Sequence, residues 1–431
     1  MESSSTPQLL IALQSRQARV AVRDIIKQES VDVVIVGGGP AGMLAGLLFA
    51  RKGLSVTVLE AQADFDRDFR GDTVHASTLE VLDQIGLADQ VLTLPHAKLR
   101  EFSIHTPTEK IRVASFADLP SKFKFVAIMP QSEFLTFIQT EAERYPGFNV
   151  RFKAPVSELI TDPTGRVTGT RFKQAGVTSE ISARLTIAAD GRFSRLRKLS
   201  GIKANSTSAP MDVAWCRLPR SADDGFEGGG IFVRGGYFTV IIPRATEWQL
   251  GVGLRKGSYG EIKQAGIDAF RARLAAAVPF FEGRTESMTS FDDIHLLNVQ
   301  SDCLTSWHKP GLLLIGDAAH VMSPVGGIGI NAAISDAVEA VNVLQSALCT
   351  EATADTLDAL LPEVQRRRAA VTRTIQRVQA TIQNRIVGQA MEGAEFSPPL
   401  PLRIIQRVPW LRRIPARFAA LGPRRVVLED P

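Results

Sequence analysis

Apolar runs of strand length alternate with helical stretches over the first sixty residues, and the same texture returns after position 310. Residues 31–36 are a β-branched run suited to a buried parallel strand, 41–52 an apolar helix, and 55–59 the next strand. The segment opening at Arg70-Gly71-Asp72 predicts a helix to about residue 85, and 102–116 alternates as hairpin strands. A further helix starts at residues 130–133, with Ser132 as its cap and the apolar stripe at 134–142. Residues 150–161 and 167–173 read as strands around a Pro-Thr-Gly-Arg turn, and 186–189 as a strand ending at Asp190-Gly191. A short helix carrying Ser194, Arg195 and Arg197 follows. Between 211 and 298 the pattern changes: 212–218, 231–234, 237–243 and 248–254 are strand-like and separated by glycine-rich turns, which predicts a mostly antiparallel sheet able to roof a cavity. Residues 257–277, 332–348 and 360–389 are helical, and prolines at 398–401 break the chain before a basic tail.

Composition narrows this picture. A chain of 431 residues with 45% apolar residues buries a large core and predicts two interleaved domains, and 22% charged residues without low-complexity runs argue against extensive disorder. A net charge of +5 is small for this length, and no motif calls for a nucleic-acid partner. Cys216, Cys303 and Cys349 are odd in number and in no metal spacing, as expected of reduced thiols in the cytoplasm, with no metal site. No stretch has the length of apolar residues that a bilayer span needs. Arg16, Arg19 and Arg23 interrupt residues 1–30, so these read as a dispensable extension forming a surface helix rather than a secretory signal, with a transit peptide as the alternative.

Two glycine-rich blocks carry the chemistry. Gly37, Gly39 and Gly42, with Pro40 and Ala41 between, follow the first strand in G-x-G-x-x-G spacing: tight turn, close approach to a pyrophosphate, helix packed on strand. Glu60 ends the next strand, where a carboxylate binds a ribose 2′-OH and disfavours a 2′-phosphate. Far downstream, residues 312–315 read as a buried strand that stops at Gly316-Asp317, followed by His320, Pro324 and three glycines before Asn331. Such a strand–turn–helix presents backbone N–H groups and one carboxylate to a flat polar ligand.

Taken in order, GGGPAG with Glu60, Arg70 before a helix, ADG at 189–191 and GDAAH-x-x-x-P-x-x-G-x-G-x-N at 316–331 resemble the single-component FAD-dependent aromatic hydroxylases, and in particular their ubiquinone-biosynthesis-like branch. The resemblance covers about residues 31–420. It implies an α/β fold in which a Rossmann-type FAD-binding domain (31–100, 126–210 and 298–380) interleaves with an antiparallel-sheet substrate domain (101–125 and 211–297), followed by a helical basic tail at 381–431. Carried over by position, Gly37, Gly39, Pro40, Ala41 and Gly42 bind the FAD pyrophosphate, Glu60 the adenosine ribose, Arg70 the pyrophosphate and Gln131 the ribityl region. Val156 offers backbone contacts to adenine. Asp190 belongs to a motif touching FAD and the approach of the nicotinamide cofactor, and Asp317 holds the ribityl chain. Pro324, Gly327, Gly329, Ile330 and Asn331 lie against the isoalloxazine ring.

The implied reaction reduces FAD with NAD(P)H, forms a flavin C4a-hydroperoxide with O₂, and transfers oxygen to an aromatic or quinone-like small molecule. Because the cofactor carries that chemistry, few side chains need be catalytic. Tyr237, His75, Asp72 and Trp215 are pocket candidates, each with a structural alternative, and His320 reads as structural rather than as a base. The alternatives in function are a flavin-dependent reductase or dehydrogenase of an isoprenoid, and a Rab-escort-like binding module without a catalytic flavin. Seven arginines and no acid lie between 402 and 425, among Ile, Val, Trp and Phe. This pattern suits contact with an anionic membrane, and its alternative is a solvated face packed over the core.

Overall fold

The computed structural model describes residues 28–66, 72–221, 224, 228–234, 237–384 and 397–430. The expected N-terminal extension, apart from its last three residues, and Arg70 lie outside the described residues.

The β-branched strand Gln28–Val36 is the centre of an eight-stranded sheet. Its parallel neighbours are Val177–Ala188 on one side and Val56–Leu59 on the other. The sheet continues outward to Leu312–Leu314 and His308–Lys309 at one edge and Phe148–Arg151 at the other. Val167–Gln174 and Val156–Thr161 extend it as an antiparallel flap. Helices Pro40–Arg51 and Gly329–Cys349 pack on each other and on one face, where Met43, Leu47, Val338 and Leu344 are buried with Ile35 and Leu313.

The stretch that alternates at strand period builds a second, seven-stranded sheet. Its order is His295–Leu297, Met211–Pro219, Glu247–Arg255, Tyr237–Pro243, Gly229–Arg234, Glu101–His105 and Lys110–Ser115. All its pairings are antiparallel except that of Gly229–Arg234 with Glu101–His105. Its two faces separate cleanly. Cys216, Leu218, Leu250 and Val252 pack outward under Phe270 and Leu274 of helix Ile267–Ala277, while Val213, Trp215, Phe238 and Val240 share a cluster with Val325. That inward face therefore looks at the second glycine block. Two three-stranded sheets, Thr73–Val74 with Val126–Ile128 and Ala97–Leu99, and Ala204–Ser208 with Gln300–Leu304 and His320–Val321, bridge the two large ones.

Several predicted boundaries move for local reasons. The strand expected over 150–161 divides because Lys153 adopts φ +53 and Pro155 follows. The helix expected over 257–277 breaks at Gly266, φ +89, into Tyr259–Ala265 and Ile267–Ala277. Pro130, not Ser132, is at the N-cap position of helix Gln131–Ala142, which starts two residues earlier than expected and without a side-chain cap; the proline's φ of −56 suits that position. The helix expected from Arg70 begins only at Ala76, after the short strand Thr73–Val74. The helix expected over 360–389 starts earlier, as Ala354–Ile382, with Pro362 in its third turn. No described helix is long and apolar enough to cross a membrane.

Candidate functional site

The first glycine block is shaped by contacts that forbid side chains. Gly37 has φ +108, and a Cβ there would stand 2.3 Å from the Ala189 carbonyl oxygen. One on Gly42 would stand 2.0 Å from the Gly37 oxygen. Gly39, by contrast, faces open space, so the loop is closed behind and accessible in front. Helix Pro40–Arg51 starts here with no acid in its first turn, leaving its amide dipoles uncompensated. Glu60, 7% exposed, accepts hydrogen bonds from the Gly38 amide at 2.7 Å and the Gln62 amide at 2.8 Å, which holds its carboxylate beside the loop.

The second block meets the first. A Cβ built on Gly316 would fall 3.1 Å from the Ala333 methyl and 3.5 Å from that of Ala41. The Gly316-Asp317 turn thus lies between the first turns of two helices, Pro40–Arg51 and Gly329–Cys349, neither of which has an acid there. Two positive helix ends converge on one loop with a half-buried carboxylate, Asp317. A buried cluster sets this turn. Asp336 accepts from the Gly316 amide (3.0 Å), His320 Nε2 (2.6 Å) and Arg368 Nε (2.6 Å). Burial by itself would raise the Asp336 carboxyl, but the charges of His320 and Arg368 hold it below its ordinary value. Arg197 pairs with Asp302 at 2.8 Å and donates to the carbonyls of Asp317 and Ala318.

Asn331 ties the block to the strand after Arg70. Its Oδ1 accepts from the His75 amide and Thr78 Oγ1, capping helix Ala76–Gln84 from outside, and its Nδ2 donates to the Thr73 carbonyl. Thr73 Oγ1 donates to Gly327 O at 2.9 Å, and Gly327 itself has φ +60. Pro324 and Ile330 are half-buried beside it, and Gly329 faces open space.

Other predicted residues are placed differently. Asp190 abuts Gly37 through its backbone, while its carboxylate accepts from Ser194 Oγ and the amides of Arg195 and Leu196 and so starts helix Arg195–Ser200. Burial raises its carboxyl despite those bonds. The Val156 side chain packs in the core with Leu59, Ala154 and Phe172. Gln131, half-buried, opens its helix with its backbone amide toward Asp72.

Two pocket candidates face elsewhere. Tyr237 lies on the outer face of the seven-stranded sheet under the guanidinium of Arg273, because its position in the strand alternates opposite to Phe238 and Val240. His75 is 2% exposed, and its Nδ1–H donates to the Ala419 carbonyl at 2.7 Å. Burial pushes its pKa down to about 4, so at neutral pH it is an uncharged anchor for the C-terminal helix.

Trp215 and Asp72 remain at the seam between the two large sheets. Trp215 is on the inner face, opposite Gly251, where a Cβ would come within 3.0 Å of its ring. Asp72 Oδ1 pairs with Arg244 at 3.3 Å, while among the described residues Oδ2 is buried without a hydrogen bond. Burial pushes the Asp72 carboxyl up to about 6, against the opposing pull of Arg244 and Arg217. Arg217 stands across from Gln249, which is 3% exposed and leaves its Oε1 unbonded. Sequence reasoning missed Arg244, Arg217, Gln249, Asp336 and Arg368, since nothing local distinguishes them. A cleft of about 670 Å³ lies between strand Gln300–Leu304 and helix Ala354–Ile382.

Known proteins share this framework. A family described as FAD binding domain matches residues 30–377. A 6-methylpretetramide 4-monooxygenase of Streptomyces rimosus is 30% identical over 391 residues, which is 90% of this chain and 92% of that protein. A pentachlorophenol 4-monooxygenase of Sphingobium chlorophenolicum is 27% identical over 71% of this chain and 56% of its own length. The crystal structure of p-nitrophenol 4-monooxygenase from Pseudomonas putida DLL-E4 aligns with a TM-score of 0.74 at 19% identity, over 92% of this chain and 100% of that one, a likeness of fold. The chain belongs to the FAD binding domain family and is an FAD-dependent monooxygenase.

Proposed function

We propose that this enzyme hydroxylates a phenolic aromatic compound at the seam between its two large sheets, in the cytoplasm. The observation that carries the reading is the convergence of two helix N-termini and the Asp317 turn opposite the inner face that bears Trp215, Arg217 and Gln249. In this assignment residues 37–42 and, outside the described chain, Arg70 receive the pyrophosphate of FAD. Glu60 takes a ribose hydroxyl, Val156 backbone atoms meet the adenine, and Gln131 and Asp317 meet the ribityl chain. Asp190 positions the glycine loop through its backbone. Pro324, Gly327, Gly329, Ile330 and Asn331 would hold the isoalloxazine ring. The segments 31–100, 126–210 and 298–380 would then be the cofactor domain, with 101–125 and 211–297 the substrate domain.

The bound flavin, reduced by NAD(P)H, supplies the oxygen-activating chemistry. The protein's own part is orientation and proton handling. Amides at the start of helix Gly329–Cys349 would favour negative charge on a flavin held there. Trp215 gives the substrate an aromatic surface, and the arginines at 217 and 244 hold a phenolate. Asp72 Oδ2, the unpaired oxygen of a carboxyl with pKa about 6, takes the phenol proton. The same reading gives the arginine-rich C-terminal segment a peripheral contact with a membrane surface.

A screen of NADH and NADPH oxidation by the FAD-loaded protein against phenols, quinone precursors and polyketides tests this directly. Substrate-stimulated flavin reduction and a product heavier by one oxygen are expected. Reduction without oxygen incorporation by any of them would replace the reading with a reductase or dehydrogenase.

A further inference from the structure

The C-terminal helices Leu400–Arg407 and Arg413–Leu421 lie along Lys110–Ser115, the edge strand of the seven-stranded sheet. Leu402 is buried with Ile104 and Ile111, and Ala416, Ala420 and Leu421 join the main core. The segment is therefore docked, yet its outer side is apolar. Leu400 is 70% exposed, Trp410 58%, Ile414 57% and Ile404 45%.

Helical spacing gathers these residues with the arginines. At 3.6 residues per turn, Leu400, Arg403, Ile404 and Arg407 fall within about 100° of one another, on the side opposite Leu402. Arg413, Ile414 and Arg417 form a similar exposed stripe one helix on, and the Arg413 guanidinium stacks over Trp410 at 5.2 Å. Residues 397–428 contain seven arginines and no Asp or Glu. Arg403, Arg407, Arg413 and Arg417 make no ion pair among the described residues. Apolar side chains framed by unpaired arginines, with an exposed tryptophan between two short helices, match the requirements of a lipid headgroup boundary. A second copy of the chain fits poorly, because a two-fold contact through this patch would set arginine against arginine.

We infer that this face docks the enzyme on an anionic bilayer. Leu400, Ile404, Trp410 and Ile414 enter the headgroup–acyl boundary and the four unpaired arginines meet lipid phosphates. The contact deepens the peripheral reading above and does not depend on which substrate is hydroxylated. It also sets an orientation: the edge of the seven-stranded sheet, not the cofactor sheet, faces the membrane.

Co-sedimentation of the full-length, FAD-loaded protein with vesicles tests it without turnover. The protein pellets with phosphatidylcholine containing phosphatidylglycerol, stays in solution with phosphatidylcholine alone, and is released by salt. Arg403→Gln and Arg407→Gln each weaken partition about fivefold, and Trp410→Ser about tenfold, with flavin content and melting temperature unchanged. A blue shift of tryptophan emission on vesicle addition, lost in Trp410→Phe, reports insertion, since Trp248 and Trp307 are fully buried and Trp215 is on the inner face of the seven-stranded sheet. Equal pelleting with both vesicle types, no pelleting with either, or a dimer on sizing that Trp410→Ser dissolves would each overturn the inference. None of these results bears on whether oxygen enters a phenol.

Discussion

Asp336 and Asp72 are both buried carboxylates, and their surroundings give them opposite tasks. Asp336 is fully enclosed by the Arg368 guanidinium, the His320 ring and the Gly316 amide, so both its oxygens are hydrogen-bonded. Asp336→Ala leaves Arg368 Nε and the Gly316 amide without their acceptor, an expected loss of about 3–5 kcal/mol that thermal unfolding would register, with weaker FAD retention. Because its carboxyl is held below the ordinary value, its stabilisation is present above the unfolded value of about 4 and is lost as pH falls further. In the Asp336→Ala variant that acid-side loss should flatten. Asp72 has one paired and one unpaired oxygen, and its carboxyl is raised. As a base it works deprotonated, so kcat/KM should rise through about pH 6. Asp72→Asn should abolish that limb and lower kcat about 10²–10⁴-fold. A limb unchanged in this variant would remove Asp72 from the proton path.

Elements were legible where short-range pattern decides them. The strand–glycine–helix–strand–acid order of 31–60 maps directly onto Gln28–Val36, Pro40–Arg51 and Val56–Leu59, because one local unit satisfies every signal at once. Breaks inside periodic stretches were harder, as at Lys153 and Gly266, where one residue with positive φ interrupts an otherwise continuous pattern. The helix starts that matter to function rest on close backbone approach. Gly42→Ala would press a methyl onto the Gly37 carbonyl at 2.0 Å and must push the helix away from the strand. An overpacking cost of about 1–3 kcal/mol is expected, with protein purified largely free of flavin. Gly39→Ala, whose added methyl faces open space, should fold as well as the parent yet bind FAD more weakly, which separates packing from cofactor contact. Equal flavin content in all three proteins would contradict the role given to this loop.

The whole molecule is assembled by contacts that no window of sequence contains. Asp72 and Arg244 are 172 positions apart, His75 and Ala419 are 344, and the seam that unites the two large sheets consists of such pairs. Cofactor motifs could be read because a pyrophosphate and a ring impose glycines and an acid at set spacings. The substrate wall could not, since Trp215, Arg217 and Gln249 are ordinary strand residues until strand pairing sets Trp215 against Gly251 and Arg217 against Gln249. Tyr237 shows the same limit in reverse, a prominent aromatic that alternation sends to the outer face. The central claim is that this seam inserts oxygen from O₂ into an aromatic ring. It is tested most directly by supplying isotopically labelled O₂ and NAD(P)H to the FAD-loaded enzyme with a phenol that stimulates flavin reduction, and reading the product by mass spectrometry. One labelled oxygen per product is expected, lost in Asp72→Asn while flavin binding persists. An unlabelled hydroxyl from water, or NAD(P)H consumed with no oxygen in the product, would contradict it.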